Sequence, residues 1–375
     1  MTPLPFFTTV QFSGPGISSS ALGPNTLKIM EREYAHDTAV MEFWGGDVNS
    51  DSLISGTPVL LTYGTSSVQR VFYGYVNHPG RTNNSMASAS TLTQRNSVTI
   101  TCVGASWPMK QTGTQVFTSM ATWQIIQNIA DQFGFDTDIV PDTIVWPSKQ
   151  MAGATYWQFC VGLAQQIGYT FYCNGIQLVF KPRQTNPLAL SALAAVYDYA
   201  NNPAGLPIFS PTLGATNPSG GQLANRQQAG INPRTMQPIF SQVSGSPASS
   251  LLGSTPVSPA FNATQHYAVS SQEEADTKTS GAGALNQMFI TATASGAGNP
   301  LVSKGSLVYV QNANGSQNGL WFVTGAMHCF DSQTYLMNLE LGRDSMGVTQ
   351  SIFILPQLST PPSAVLVSNA WSAAA

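Results

Sequence analysis

Residues Trp157 to Phe180, "WQFCVGLAQQIGYTFYCNGIQLVF", constrain the fold more than any other stretch of this chain. A helical period runs to a stop at Gly168, and a tight hairpin follows. Thr155 with Gln158 fits a capping box at the helix start. Tyr156, Phe159, Cys160, Leu163 and Ile167 share one face. Gly168 sits where a left-handed C-terminal cap is wanted. Asn174-Gly175 is a strong short hairpin signal and predicts a type I′ turn, with positive φ at both residues. A helix laid on a hairpin reads as a structural unit. Cys160 falls on the apolar face and Cys173 in the hairpin beneath it, so both read as core.

The same rules place the neighbouring elements. "TTVQFSG", "HDTAVMEFWGG", "LISGTPVLLTYGTSSVQRVFYGYVNHP" and "SVTITCVGA" read as short strands with Gly turns, the third as two strands around Gly64–Ser67. "TWQIIQNIADQFG" predicts a helix, with Thr122 as its cap and Gly134 as its stop. "FDTDIVPDTIVWPSKQMAGA" reads as a connection. Residues 186–260 are rich in Pro and Gly, carry only Asp198, Arg226 and Arg234 as charges, and read as an irregular arm with a short strand at "PIFSQV". Ser271 with Glu274 starts a third helix, weakened by Gly281 and Gly283. Four strand candidates follow: "MFITATA", "GSLVYVQN", "GLWFVTGAMHCF" and "TYLMNLELG". The fold class expected is β-rich α+β. Residues 1–108 form a first β domain and 109–185 an α/β helix–hairpin domain. The arm covers 186–260 and can lend strands to a second β domain at 261–345. A C-terminal extension covers 346–375.

Chemistry is hard to find in the chain. There is no phosphate loop, no nucleophile elbow and no H-E-x-x-H. Asp136 with Asp138, or Glu273 with Glu274, offer a glycosidase-like carboxylate pair. The first reads better as a solvated loop and the second as a helix N-terminus. Cys329 beside His328 suggests a thiol and its base, but alternation in a strand points neighbours to opposite faces. Cys102, Cys160, Cys173 and Cys329 are scattered without the spacing of a zinc site, so buried reduced thiols are expected. No catalytic, cofactor-binding or metal residue is assigned. Charged residues are only 8% of the 375 residues, and the net charge is −3 with no basic stripe. Such a surface suits a protein covered by partners, and nucleic-acid affinity through phosphate neutralisation is not expected. Neither a span of about 20 apolar residues nor an export signal is visible.

The order of parts is similar to a known family. "LLTYGTSSVQRVFYGYVNHP" closes a β domain, "TYWQFCVGLAQQIGYTFYCNGIQLVFKP" gives helix and hairpin, and "EADTKTSGAGALNQMFITATASGAGNPLVSKGSLVYVQN" leads into "GLWFVTGAMHCFDSQTYLMNLELGRD". Together these resemble the baseplate hub proteins of contractile phage tails, the late control D family, and the hub part of type VI secretion spikes. The resemblance covers roughly half the chain by the quoted motifs, and the very low charge departs from it. It implies two tail-tube-like β-barrel domains per subunit and a homotrimeric ring. That ring joins the tail tube protein to the spike protein among other baseplate proteins, and DNA passes without specific binding. It implies a virion tail location, with assembly in the host cytoplasm. A tail-tip cell-wall hydrolase is the alternative, and a surface adhesin a weaker one suggested by sequons at Asn83, Asn262 and Asn314. The arm and the C-terminal extension are expected to pack on neighbouring subunits or other tail proteins, the arm through Leu206, Ile208, Phe209, Ile239 and Phe240.

Overall fold

A computed structural model describes residues 6–13, 22–44, 53–65, 68–84, 95–183, 193–198, 214–215, 224–232, 234–243, 252, 261–265, 269, 271–286, 288–311, 318–331 and 333–345. The chain opens with β1 (Phe6–Phe12), β2 (Thr26–Arg32), β3 (Thr38–Trp44), β4 (Pro58–Thr65), β5 (Gln69–Asn84) and β6 (Arg95–Gly104). They pair antiparallel in the order β1-β4-β5-β6-β3-β2. Alternation explains the arrangement, because every second residue turns inward. Leu27, Ile29, Met41, Phe43, Leu61, Tyr63, Ile100 and Cys102 meet in one core. A bridge between Val10 and Leu22, with backbone bonds of 2.8 and 2.9 Å, ties β1 to the approach to β2. β2 is absent from the sequence expectations. Lys28 and Arg32 on its outer face and Glu31 on its inner face disguise its alternation.

The middle of the chain holds β7 (Val116–Ala121), α1 (Thr122–Phe133), β8 (Asp136–Ile139), β9 (Val145–Gln150), α2 (Tyr156–Ile167), β10 (Tyr169–Asn174) and β11 (Gln177–Pro182). Thr155 Oγ1 accepts from Gln158 N at 3.1 Å, as the capping box requires, and Gly134 and Gly168 take left-handed φ of 71° and 76°. Three expectations need correction. Ala121, not Thr122, caps α1; Gln124 Oε1 accepts from Ala121 N, while the buried Thr122 hydroxyl accepts from Trp146 Nε1 at 2.9 Å. The stretch after α1 is no plain connection, since β8 pairs parallel with β11 and β9 pairs with β7. These strands are short and lack a clean period, so propensity hides them. Phe159 packs half-buried against the same core as Tyr156, Cys160, Leu163 and Ile167, and Trp157 is buried there as well. The third concerns the hairpin turn. Asn174 pairs directly with Gln177, which leaves Gly175 and Ile176 as the loop. Gly175 has φ +60° and neither Asn174 nor Ile176 is positive. One positive φ at the first loop position is the type II′ pattern rather than type I′.

The last part holds β12 (Leu193–Asp198), β13 (Gly214–Ala215), β14 (Ala224–Ile231), β15 (Pro238–Val243), β16 (Phe261–Gln265), α3 (Gln272–Leu285), β17 (Ile290–Ala297), β18 (Leu307–Gln311), β19 (Gly319–Phe330) and β20 (Tyr335–Arg343). The expected irregular arm therefore contains four strands where it is described. β14 and β15 form a small sheet with β16 beside α3. β12 and β13 pair with β18 and β17. Gly281 is a close-approach residue rather than a weakness, because a Cβ there would stand 2.2 Å from Gln166 O of α2.

β2 pairs antiparallel with β19, from Arg32 opposite Gly325 to Leu27 opposite Phe330. This joint merges the first six strands with the C-terminal β unit into one twelve-stranded sheet. A second core around Trp321, Val308, Leu339 and Leu341 fills the C-terminal half. Among the described residues the strand order is an open path, so closed barrels are not part of the observed fold. Among the described residues the chain is β-rich with three α-helices, as expected of its fold class. Among the described residues no helix is long and apolar enough to cross a membrane.

Candidate functional site

In a chain with so few charges, the stretch "EREYAHD", Glu31 to Asp37, stands apart. It ends β2 and turns into β3. Its polar groups reach several different elements. Glu31 is buried, accepts from Tyr63 Oη of β4 at 3.1 Å, and pairs with Arg70 of β5 at 3.2 Å. Burial alone would raise its pKa. Arg70, with help from His328, Lys304 and the Tyr63 hydroxyl, outweighs burial and holds it at about 2. Arg70 Nη2 also donates to Asn174 Oδ1 at the turn of the β10–β11 hairpin, 3.2 Å away. On the outer face Arg32 pairs with Glu340 of β20.

Glu33 faces the helix–hairpin unit. Arg183, just after β11, donates from Nη2 to Glu33 Oε2 at 2.9 Å. The same guanidinium donates from Nη1 to the Leu285 carbonyl at 3.3 Å. That carbonyl ends α3, where a cation is favoured by the helix dipole. Thr170 of β10 donates its hydroxyl to Glu33, and Glu33 N donates to Thr324 O of β19 at 3.0 Å.

Tyr34 has φ +60°, which is costly for an aromatic residue. Its surroundings over-determine it. Tyr34 N donates to Phe171 O at 2.8 Å and its hydroxyl to Tyr169 O at 2.9 Å, while Trp157 Nε1 donates to Tyr34 O at 3.3 Å. His36 stacks on Trp157 and holds Nδ1 2.7 Å from Ser106 Oγ. Burial and then Lys110 lower its pKa to about 4, so the ring is neutral at physiological pH. A Ser–His contact can begin a nucleophile–base pair, but Ser106 is buried under the turn. Asp37 is buried against Lys304 of the β17–β18 connection, and burial outweighs that partner to push its pKa to about 6. Its carbonyl accepts from Gly104 N at 2.8 Å, which ties the turn to β6.

Six of these seven consecutive residues thus bind both β units and the helix–hairpin unit. The sequence reading missed this site. Its only local signal is charge density in an otherwise uncharged chain, and its partners lie far along the sequence.

Apart from His328, which is close enough to act on Glu31, the residues weighed for chemistry lie away from it. Asp136 and Asp138 sit in β8, not in a loop, and Asp138 pairs with Lys181 at 2.5 Å. Glu273 and Glu274 open α3, where Ser271 Oγ accepts from Glu274 N and Glu274 pairs with Lys278 at 2.7 Å. His328 is buried on the inner face of β19; Cys329 is only half-buried and faces the other way, which corrects the expectation that all four thiols are buried. Cys102, Cys160 and Cys173 are buried, and burial raises each thiol pKa. Among the described residues no cluster of His, Cys, Asp and Glu could hold a metal. Of the arm's apolar anchors, Ile239 is buried against Val269 and Ala275 of its own chain, and Phe240 is exposed. Leu206, Ile208, Phe209, Asn314 and the C-terminal extension lie outside the described residues.

No protein-family model matches the sequence, and no curated protein matches it either. Solved structures do match. The 43 kDa tail protein of prophage MuSo2 from Shewanella oneidensis superposes with a TM-score of 0.59 at 12% identity, over 91% of this chain and 100% of that one. A tail protein from Neisseria meningitidis gives 0.61 at 9% identity, over 91% and 98%. An Escherichia coli component of the type VI secretion system, described as similar to the T4 tail proteins gp27 and gp5, gives 0.55 at 9% identity, over 90% and 77%. The fold built around the Glu31–Asp37 turn is the one these phage tail and secretion-system proteins share.

Proposed function

We propose that this chain is a structural baseplate hub protein of a contractile phage tail. Three copies form a ring that joins the tail tube protein above to the spike protein below, and other baseplate proteins dock around it. The genome passes through the bore without specific binding, which a weakly acidic, sparsely charged protein favours. The protein resides in the virion tail after assembly in the host cytoplasm, and it catalyses no reaction. Its parts are a first tail-tube-like barrel at 1–108, the helix–hairpin domain at 109–185, the arm at 186–260, a second barrel at 261–345 and an extension at 346–375.

The observation that carries this reading is the junction. Buried ion pairs at Glu31, Glu33 and Asp37 lock two β units and a helix–hairpin unit into one body. A ring segment that transmits force between tube and spike needs such rigidity. A hydrolase would instead need an accessible acid, base or nucleophile, and the ionisable groups gathered here are engaged with one another. The bridge between Val10 and Leu22, and the core that the first six strands share with Phe330 and Tyr335, support the barrel reading. Native mass spectrometry of the purified protein, alone and mixed with the tail tube and spike proteins of the same tail, tests the assembly. Three copies per complex are expected. A monomer under every condition, or peptidoglycan clearing lost on changing one Asp or Glu, would overturn it.

A further inference from the structure

His328 lies on the strand pairing that joins the two β units, opposite Ile29 of β2. The side chain is fully buried. Nδ1 is 2.9 Å from the Tyr335 hydroxyl of β20, and Nε2 has no hydrogen-bond partner. The Tyr63 ring of β4 packs 5.5 Å away. The charged groups acting on the imidazole are Glu31 of β2 and Arg70 of β5. Those two are already paired with each other. Lys304 acts on Glu31 and is itself matched by Asp37.

Charge counting gives the consequence. With His328 neutral, the enclosed cluster is balanced. A proton on His328 leaves one uncompensated positive charge in a site closed to water. In the imidazolium Nε2 is an N–H donor with no acceptor, and leaving a charged N–H unpaired costs more than leaving a neutral ring nitrogen so. Exposing the imidazole removes both costs, and this requires parting β2 from β19. We propose that His328 makes the β2–β19 joint acid-labile, so that a proton taken up there separates the two β units and draws Phe330 and Tyr335 out of the core of the first.

The titration agrees in sign. Burial lowers the His328 pKa to about 4, against the attraction of Glu31 and with the repulsion of Arg70. A base whose folded pKa lies below its ordinary value of about 6.5 contributes stability that is complete above that value and lost as pH falls toward 4. Glu31 stays ionised until about pH 2 and does not titrate in this window. Asp37, pushed up to about 6, works in the opposite direction, because its ionised form is the disfavoured one in the folded protein. Tyr63 and Tyr335 stay neutral throughout, since burial raises both.

Hydrogen exchange read by mass spectrometry on the full chain tests the proposal. Peptides covering 26–32 and 325–330 report the joint, and a peptide covering 169–180 reports the helix–hairpin core. Rates are compared at about pH 7 and about pH 4.5 after correction for intrinsic exchange. The joint should lose protection roughly tenfold or more relative to the reference peptide on acidification. His328→Phe keeps an aromatic ring between Tyr63 and Tyr335 and should abolish that differential loss. Equal change in joint and reference peptides of the wild type, or an undiminished differential loss in H328F, would overturn the proposal. Should H328F not fold, the wild-type comparison decides alone.

Discussion

Two turns in this molecule approach each other and obey different rules. The β10–β11 turn closes on one glycine and one isoleucine, and its conformation is set by the φ of Gly175. The β2–β3 turn contains no glycine, forces a tyrosine to φ +60°, and buries three carboxylates. The first is stabilised by its own residues. The second is stable only because Arg70, Arg183, Lys304, Thr170 and Trp157 surround it. Arg70 links the two, donating to Glu31 on one side and Asn174 on the other. A local turn can form early and alone. A turn whose partners come from every unit forms only when the units have assembled, and it therefore reports their assembly.

The largest effect should come from splitting the second turn's ion pairs. Glu33 and Arg183 are both nearly inaccessible, with side-chain exposures of 4% and 12%. Glu33→Ala leaves the guanidinium buried without its carboxylate, and the expected loss is about 3–5 kcal/mol of unfolding free energy. Urea denaturation measures it. Adding Arg183→Met should recover a large part of that loss, because the stranded charge is gone. If E33A costs no more than a surface substitution, the β2–β3 turn is not what holds the units together, and the contrast between the turns collapses.

Legibility in the sequence follows the same division. The α2 capping box, the left-handed glycines at 134 and 168, the "PIFSQV" strand and the four C-terminal strands were all readable because each depends on neighbours within a few residues. β2 was not, since alternation is obscured when the inward residue is Glu31 and the outward ones are Lys28, Met30 and Arg32. The role of Gly281 was not readable either, because its partner Gln166 lies on another helix. The junction is the extreme case: Glu31 meets Arg70, Glu33 meets Arg183 and Asp37 meets Lys304. Charge density alone flagged the stretch, and no periodicity rule names the partner of a buried carboxylate.

The helix contact behind Arg183 sharpens the comparison at a smaller scale. Arg183 reaches the C-terminal carbonyls of α3, and α3 is seated by Gly281 against Gln166 and Ile167. Gly281→Ala gains helix propensity by about 1 kcal/mol. The added carbon would stand 2.2 Å from a backbone oxygen, so α3 must back away from α2. The net expectation is a loss of about 1–3 kcal/mol, visible in thermal denaturation. A stabilised G281A would mean that α3 is free to shift and that Arg183 is anchored by Glu33 alone.

The smallest effects decide what kind of turn the hairpin makes. In a type II′ turn Gly175 carries the only positive φ, and a side chain there is strained. A Cβ at Gly175 would meet Tyr73 at an ordinary 3.5 Å, so the penalty is conformational and not steric. Gly175→Ala and Gly175→Val should each cost about 1–2 kcal/mol. Asn174 is then an ordinary strand residue whose amide oxygen accepts from an Arg70 that keeps its Glu31 partner. Asn174→Ala should therefore cost no more than about 0.5–1 kcal/mol, the net worth of one hydrogen bond. A type I′ turn over Asn174-Gly175 predicts the opposite ranking for asparagine, because alanine at a positive φ would add strain to the lost bond. Thermal midpoints of G175A and N174A, measured side by side, separate the two turns. A larger loss in N174A than in G175A would restore the type I′ assignment and move the partner of Cys173 from Leu178 to Ile176, two residues back along the second strand.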